Sequence, residues 1–182
     1  MPRLSATLAL LALAGCASTG SYRPVAAALP GIDVHIDDPH WDGKHIPPQG
    51  ICSNYGGRDL SPALRVSDVP AGANAIIVQF NDLDHPARAS NGGHGAIGYW
   101  VDAGVPARLP SVQGYSVRLP EGAFIERGAQ ANGPMASQGY LAPCSGGRGH
   151  RYVADVLAVR KATAAGEQNL VLARTRLPLG RY

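Results

Sequence analysis

The hydrophobic and polar positions of this chain change pattern several times. Ile32, Val34 and Ile36 alternate with Asp33, His35 and Asp37, the period-two signature of a half-buried strand, and Asp38-Pro39 stops it. Ala75-Ile76-Ile77-Val78-Gln79-Phe80 is a short, nearly continuous apolar run, as expected of a central strand covered on both faces. Ile97 to Val101, Arg151 to Val159 and Leu170 to Leu177 are further predicted strands, with Val153, Leu157 and Val159 on one face of the second. Gly, Pro, Asn and Asp fill the connections, where turns need them. The one helical candidate, Thr163 to Asn169, is weakened by Gly166. No internal repeat appears. The fold class expected is mainly β with few short helices.

The N-terminus follows another rule. Arg3 precedes an apolar run from Leu4 to Leu13, too short for a membrane span of about 20 residues but suited to an export signal. It ends in Leu13-Ala14-Gly15-Cys16, similar to a bacterial lipobox, in which the Cys16 sulfur becomes the lipid attachment point. Residues 1–15 are therefore read as a lipoprotein signal peptide, and 16–30, rich in Ala, Ser, Gly and Pro, as a tether. The folded domain is expected over 31–182. Ala17, rather than Asp, after the cysteine favours an outer-membrane anchor facing the periplasm.

Composition narrows the function classes. Gly (23) and Pro (15) make about a fifth of the 182 residues, against roughly 12% in ordinary chains, which excludes a helix bundle or coiled coil. The 45% hydrophobic content excludes disorder. Loss of Arg3 leaves fifteen basic against thirteen acidic residues and no basic run, so no nucleic-acid partner is expected. Cys52 and Cys144 remain in an oxidising compartment, either as a disulfide or as two buried thiols.

Three segments concentrate candidate chemistry. Asn81-Asp82-Leu83-Asp84-His85-Pro86 follows the buried strand and holds its carboxylates at a sheet edge; the same residues also suit a turn. Gly146 to Tyr152 is a Gly-rich loop entering a strand, with His150 and Tyr152 on one face as paired anion donors; the same residues also suit a flexible loop followed by a strand with a core tyrosine. Asp33, His35, Asp37, His40, Asp42 and His45 lack the spacing of a metal motif and read as an exposed face. No metal or cofactor is expected.

These residues carry a family resemblance. Ile46-Pro47-Pro48, Cys52, Ser61-Pro62-Ala63-Leu64 and Val69-Pro70-Ala71-Gly72 are followed by Asp82-Leu83-Asp84-His85-Pro86. Tyr140 to Cys144, Gly149-His150-Arg151-Tyr152 and Gly180-Arg181-Tyr182 come next. In this order they resemble the phosphatidylethanolamine-binding protein family, in its bacterial Raf-kinase-inhibitor-like branch, over about residues 31–182. The resemblance implies a central antiparallel sheet with a second, smaller sheet in Greek-key-like order. It also implies a small rim pocket for a phosphate-containing molecule or phospholipid headgroup, carried here by Asp82, Asp84, Pro143, His150 and Tyr152. Where the family has a histidine before an aromatic residue, this chain has Tyr99-Trp100; His94 serves instead only if its loop bends differently. The function implied is a non-enzymatic, lipid-anchored envelope protein, regulatory or inhibitor-like. The alternatives are a metal-dependent hydrolase using Asp82, Asp84, His94 and His150, and an interaction lipoprotein whose pocket is vestigial.

Overall fold

The computed structural model describes residues 21–182, so Cys16, the expected export signal and the first part of the expected tether lie outside the described residues. Among the described residues, nine strands form two sheets. The larger contains β1 (Arg23–Pro24), β9 (Leu170–Arg181), β8 (Arg151–Arg160), β4 (Ala75–Asp82), β5 (Ala96–Trp100) and β7 (Ala123–Arg127), in that order. The smaller contains β2 (Val34–Ile36), β3 (Leu64–Val66) and β6 (Ala107–Leu109). All pairings are antiparallel except that of β1 with β9. The mainly β, two-sheet architecture is the one the chain pattern and the family resemblance imply, and the only helical elements among the described residues are single 3-10 turns.

The core explains the pattern. Ile76, Val78 and Phe80 of β4, Ile97 and Tyr99 of β5 and Val156 of β8 join Val34, Leu64, Val66 and Leu109 of the small sheet in one buried cluster. The alternate β4 positions, Ala75 and Ile77, form a second cluster on the opposite face with Leu157, Val159 and Val171. Tyr22, Leu29 and Phe124 pack on that second cluster. The apolar run at 75–80 is continuous because both its faces are covered.

Two expectations change here. The described part of the expected tether, 21–30, lies along the sheet: Arg23 and Pro24 pair with Leu170 and Val171, and the amide of Arg174 donates to the carbonyl of Pro30. Tyr22 and Leu29 supply apolar area that a composition-based reading of Ala, Ser and Pro does not weigh. Thr163 to Asn169 is a turn rather than a helix, with Gly166 at φ +88°. The Glu167 carboxylate accepts the amides of Thr163 and Ala164 and closes it. Strands β3, β6 and β7 are additional to those the pattern picks out; two have three residues each, too few to display a period.

Cys52 and Cys144 form a disulfide, with their Cα atoms 5.2 Å apart. The Cys52 amide also donates to the carbonyl of Pro143 at 2.9 Å, so two loops far apart in sequence are joined twice. The bond closes a loop over a sequence separation of 92. In the chain-entropy account its loss costs about 2–5 kcal/mol. A Cys52→Ser/Cys144→Ser variant is therefore expected to unfold at a clearly lower urea concentration than the oxidised parent, read by circular dichroism.

Candidate functional site

Strand β4 ends on Asp82, whose side chain is only 3% exposed. A buried carboxylate needs hydrogen bonds and opposite charge around it. Its Oδ2 lies 2.8 Å from Nδ1 of His150, and its Oδ1 accepts the Asp84 amide at 3.0 Å. His150 reaches it because the Asp82–Tyr152 register sets the end of β8 directly beside the end of β4. With Nδ1 held by Asp82, Nε2 is the His150 atom left for a ligand.

His94 supplies a second imidazole. It is 2% exposed, its Nδ1 donates to the carbonyl of Leu141 at 2.9 Å, and its Nε2 has no hydrogen-bond partner in the protein. That nitrogen stands 3.9 Å from Asp82 Oδ2, beyond hydrogen-bond range. Burial pushes the His94 imidazole down to about 4, outweighing the hydrogen bond to Leu141 and the attraction of Asp82. His94 therefore stands neutral near pH 7. The loop bends to place it through Gly92 and Gly95, at φ +71° and +97°. A Cβ on Gly95 would lie 2.3 Å from the Gly139 carbonyl oxygen, so the close approach requires glycine.

Tyr152 lines the same cleft. Its ring meets His94 edge-on, with centroids 5.5 Å apart, and its hydroxyl oxygen accepts the Cys144 amide at 3.2 Å. Burial, reinforced by Asp82, pushes the phenol up to about 12, so it remains a donor. Around these groups is an open cleft of about 280 Å³, also lined by Tyr55, His85, Arg88, Arg148 and Ser145. One buried carboxylate thus sits among three imidazoles, two guanidinium groups and a phenol. That donor set suits an anion.

Of the residues expected at the site, Asp82, His150 and Tyr152 converge. Asp84 does not: it turns outward to Arg151, accepting from Nε at 3.0 Å, Nη2 at 2.6 Å and the backbone amide at 2.7 Å. Those hydrogen bonds hold its carboxyl well below the usual range. Its role is to clamp the turn after β4 onto β8. Tyr99 is not at the cleft either. It lies on the core face of β5 and donates its hydroxyl to the Pro110 carbonyl at 2.9 Å. His94 lines the cleft and Tyr99 does not. Pro143 is buried behind the cleft wall, its carbonyl taken by Cys52. Sequence reasoning missed His85, Arg88 and Arg148; the signal for the first two was their place in and just after the Asp82–Pro86 segment. The glycines flanking His94 were the signal for its bend. The Asp/His segment at 33–45 forms local pairs, His35 with Asp33, His40 with Asp38 and His45 with Asp42. Among the described residues no cluster of three or more His, Cys, Asp or Glu is arranged to hold a metal.

Together the two sheets and the cleft at the strand ends define a two-sheet β protein with a polar rim site. A sequence profile described as phosphatidylethanolamine-binding protein matches residues 38–177. The chain belongs to that family. A UPF0098 protein of Aquifex aeolicus (strain VF5) is 29% identical over 111 residues, 61% of this chain and 57% of that protein. The chain thus spans somewhat over half the length of this relative. Among solved structures, E. coli YbcL, described as a member of the mammalian PEBP family, has 21% identity and a TM-score of 0.52, covering 83% of this chain and 97% of YbcL. CT736 of Chlamydia trachomatis D/UW-3/CX, described as a PEBP homologue, gives 21% and 0.49, with 84% and 97% covered. The likeness to YbcL supports the shared fold.

The burial of His94 has a pH consequence. In the unfolded chain its imidazole takes a proton near its ordinary 6.5; in the folded chain it resists until about 4. Stability is full above pH 6.5 and falls between 6.5 and 4, by about 3 kcal/mol at most. Urea midpoints at pH 7 and 4.5 should differ more for the parent than for His94→Gln.

Proposed function

We propose that this chain is a non-enzymatic, lipid-anchored envelope protein that binds a small phosphate-bearing molecule in the cleft at the Asp82–Tyr152 end of β4 and β8. The observation that carries the reading is the pair of histidines whose Nδ1 atoms are both engaged, leaving their Nε2 atoms uncommitted in a cleft that Tyr152 also lines. A phosphate oxygen accepts from Tyr152 and from protonated imidazole, and the Arg88 and Arg148 guanidinium groups offset the remaining charge. Asp82 keeps His150 in place and faces any ammonium group on the ligand. A bound anion also favours protonation of His94, so binding takes up a proton. Anchorage at Cys16 in the outer membrane, facing the periplasm, rests on the lipobox-like segment. The metal-dependent hydrolase reading loses its geometric support, because Asp84 is turned to Arg151 and does not converge with Asp82, His94 and His150.

The test is titration of inorganic phosphate, and separately phosphoethanolamine, into the protein while the histidine ring resonances are followed by NMR. His94 and His150 signals should shift at millimolar ligand or below. Binding should weaken tenfold or more in His150→Ala and change little in Asp84→Ala. Unchanged histidine signals at millimolar concentrations of both probes would falsify the pocket assignment.

A further inference from the structure

The two ends of the large sheet have different surfaces. At one end lie Asp82, Tyr152 and Gly180, in register across β4, β8 and β9, with the anion cleft above them. At the other end lie Ala75, Val159 and Val171, with Trp100 opposite Ala75. Strand β4 runs the distance between the ends, eight residues or roughly 25 Å.

The chain enters at the second end. Strand β1 runs parallel to β9 and its first residue, Arg23, pairs with Leu170, where β9 begins. The preceding Tyr22 is fixed there: the Lys161 ammonium donates to its hydroxyl at 3.2 Å and to Glu126 at 2.7 Å. Lys161 also stands 5.2 Å from the centre of the Phe124 ring, and Phe124 packs on Trp100 at 4.9 Å. Trp100 is nevertheless 46% exposed, and Val105, just beyond it, 52%. A tryptophan ring suits the boundary between water and lipid.

Only residues 17–21 separate Cys16 from Tyr22. Even fully extended they reach roughly 20 Å. If Cys16 carries lipid, this leash holds the Trp100 end near the bilayer. We infer that this end of the large sheet rests on the lipid surface that holds the anchor, with Trp100 at the interface and the anion cleft turned away from it. The inference rests on the lipid-anchor reading. It adds that the cleft takes its ligand from solution, not from the leaflet beneath the protein. Asp102, Glu121 and Glu167 are exposed at or near this end beside Arg23 and Arg160, so the contact is aromatic and does not depend on anionic lipid.

The chain has two tryptophans, and Trp41 is buried, which makes fluorescence a direct probe. The full-length protein, purified with its lipid, is placed in phosphatidylcholine vesicles containing nitroxide-labelled phosphatidylcholine. Trp100 emission is expected to fall at least twofold, and Trp100→Phe should remove the effect. In the same background, Tyr55→Trp puts the probe at the cleft rim, and its emission should be unaffected. Quenching of that rim probe, or none of Trp100 in an acylated chain, overturns the orientation while leaving the anchor intact. Mass spectrometry reads the anchor independently: an unacylated Cys16 overturns both.

Discussion

Everything at the cleft depends on keeping the Asp82 carboxylate out of water. A carboxylate 3% exposed at a strand end is tolerable only where donors close on it. The donors are His150 and the Asp84 amide. That requirement selects the position of His150, since only its Nδ1 meets the carboxylate, and so commits its other nitrogen to whatever enters. It also shapes the turn after β4, because the Asp84 amide must face back while its side chain reaches outward to Arg151.

A second set of polar groups supports the first from the opposite face of β4. Arg176 on β9 holds Asp155 on β8 through two hydrogen bonds of 2.8 Å. Asp155 accepts from Asn81, and the Asn81 carbonyl oxygen accepts the amides of Gly92 and Gly93. Three strands are thereby tied to the loop that presents His94. The disulfide acts similarly on the other wall, joining the segment that carries Tyr55 to the one that carries Ser145 and Arg148. The cleft is open, but Asp82, His94, His150 and Tyr152 in its lining each have a hydrogen-bond partner in the protein. Preorganisation of this kind lowers the ordering cost of binding a small ligand.

Much of this was legible in the chain. The run at 75–80, the alternation at 32–37 and the Gly and Pro punctuation specify a β protein, because strand burial and turn sterics are local properties. Asp82, His150 and Tyr152 could be named because the family resemblance selects them from segments whose pattern alone also suited a turn and a core tyrosine. Asp84 could not be separated from Asp82, since both stand in the same turn and only the competing Arg151 draws one outward. Tyr99 was assigned because the family resemblance puts a histidine at its place, but the strand face it occupies points to the core.

What the sequence determined by itself is therefore the class of fold, the ends of the central strands and the kinds of groups able to meet there, since these follow from periodicity and side-chain chemistry. The tertiary structure decided which groups do meet. The bend at Gly92–Gly95 brought in His94, the pairing of β4 with β8 set His150 on Asp82, and the disulfide, undecided in sequence, closed the wall. Tyr22 and Leu29 became part of the fold for the same reason: apolar area on the outer face of β4 needs a cover, and no local pattern says which distant segment will supply it.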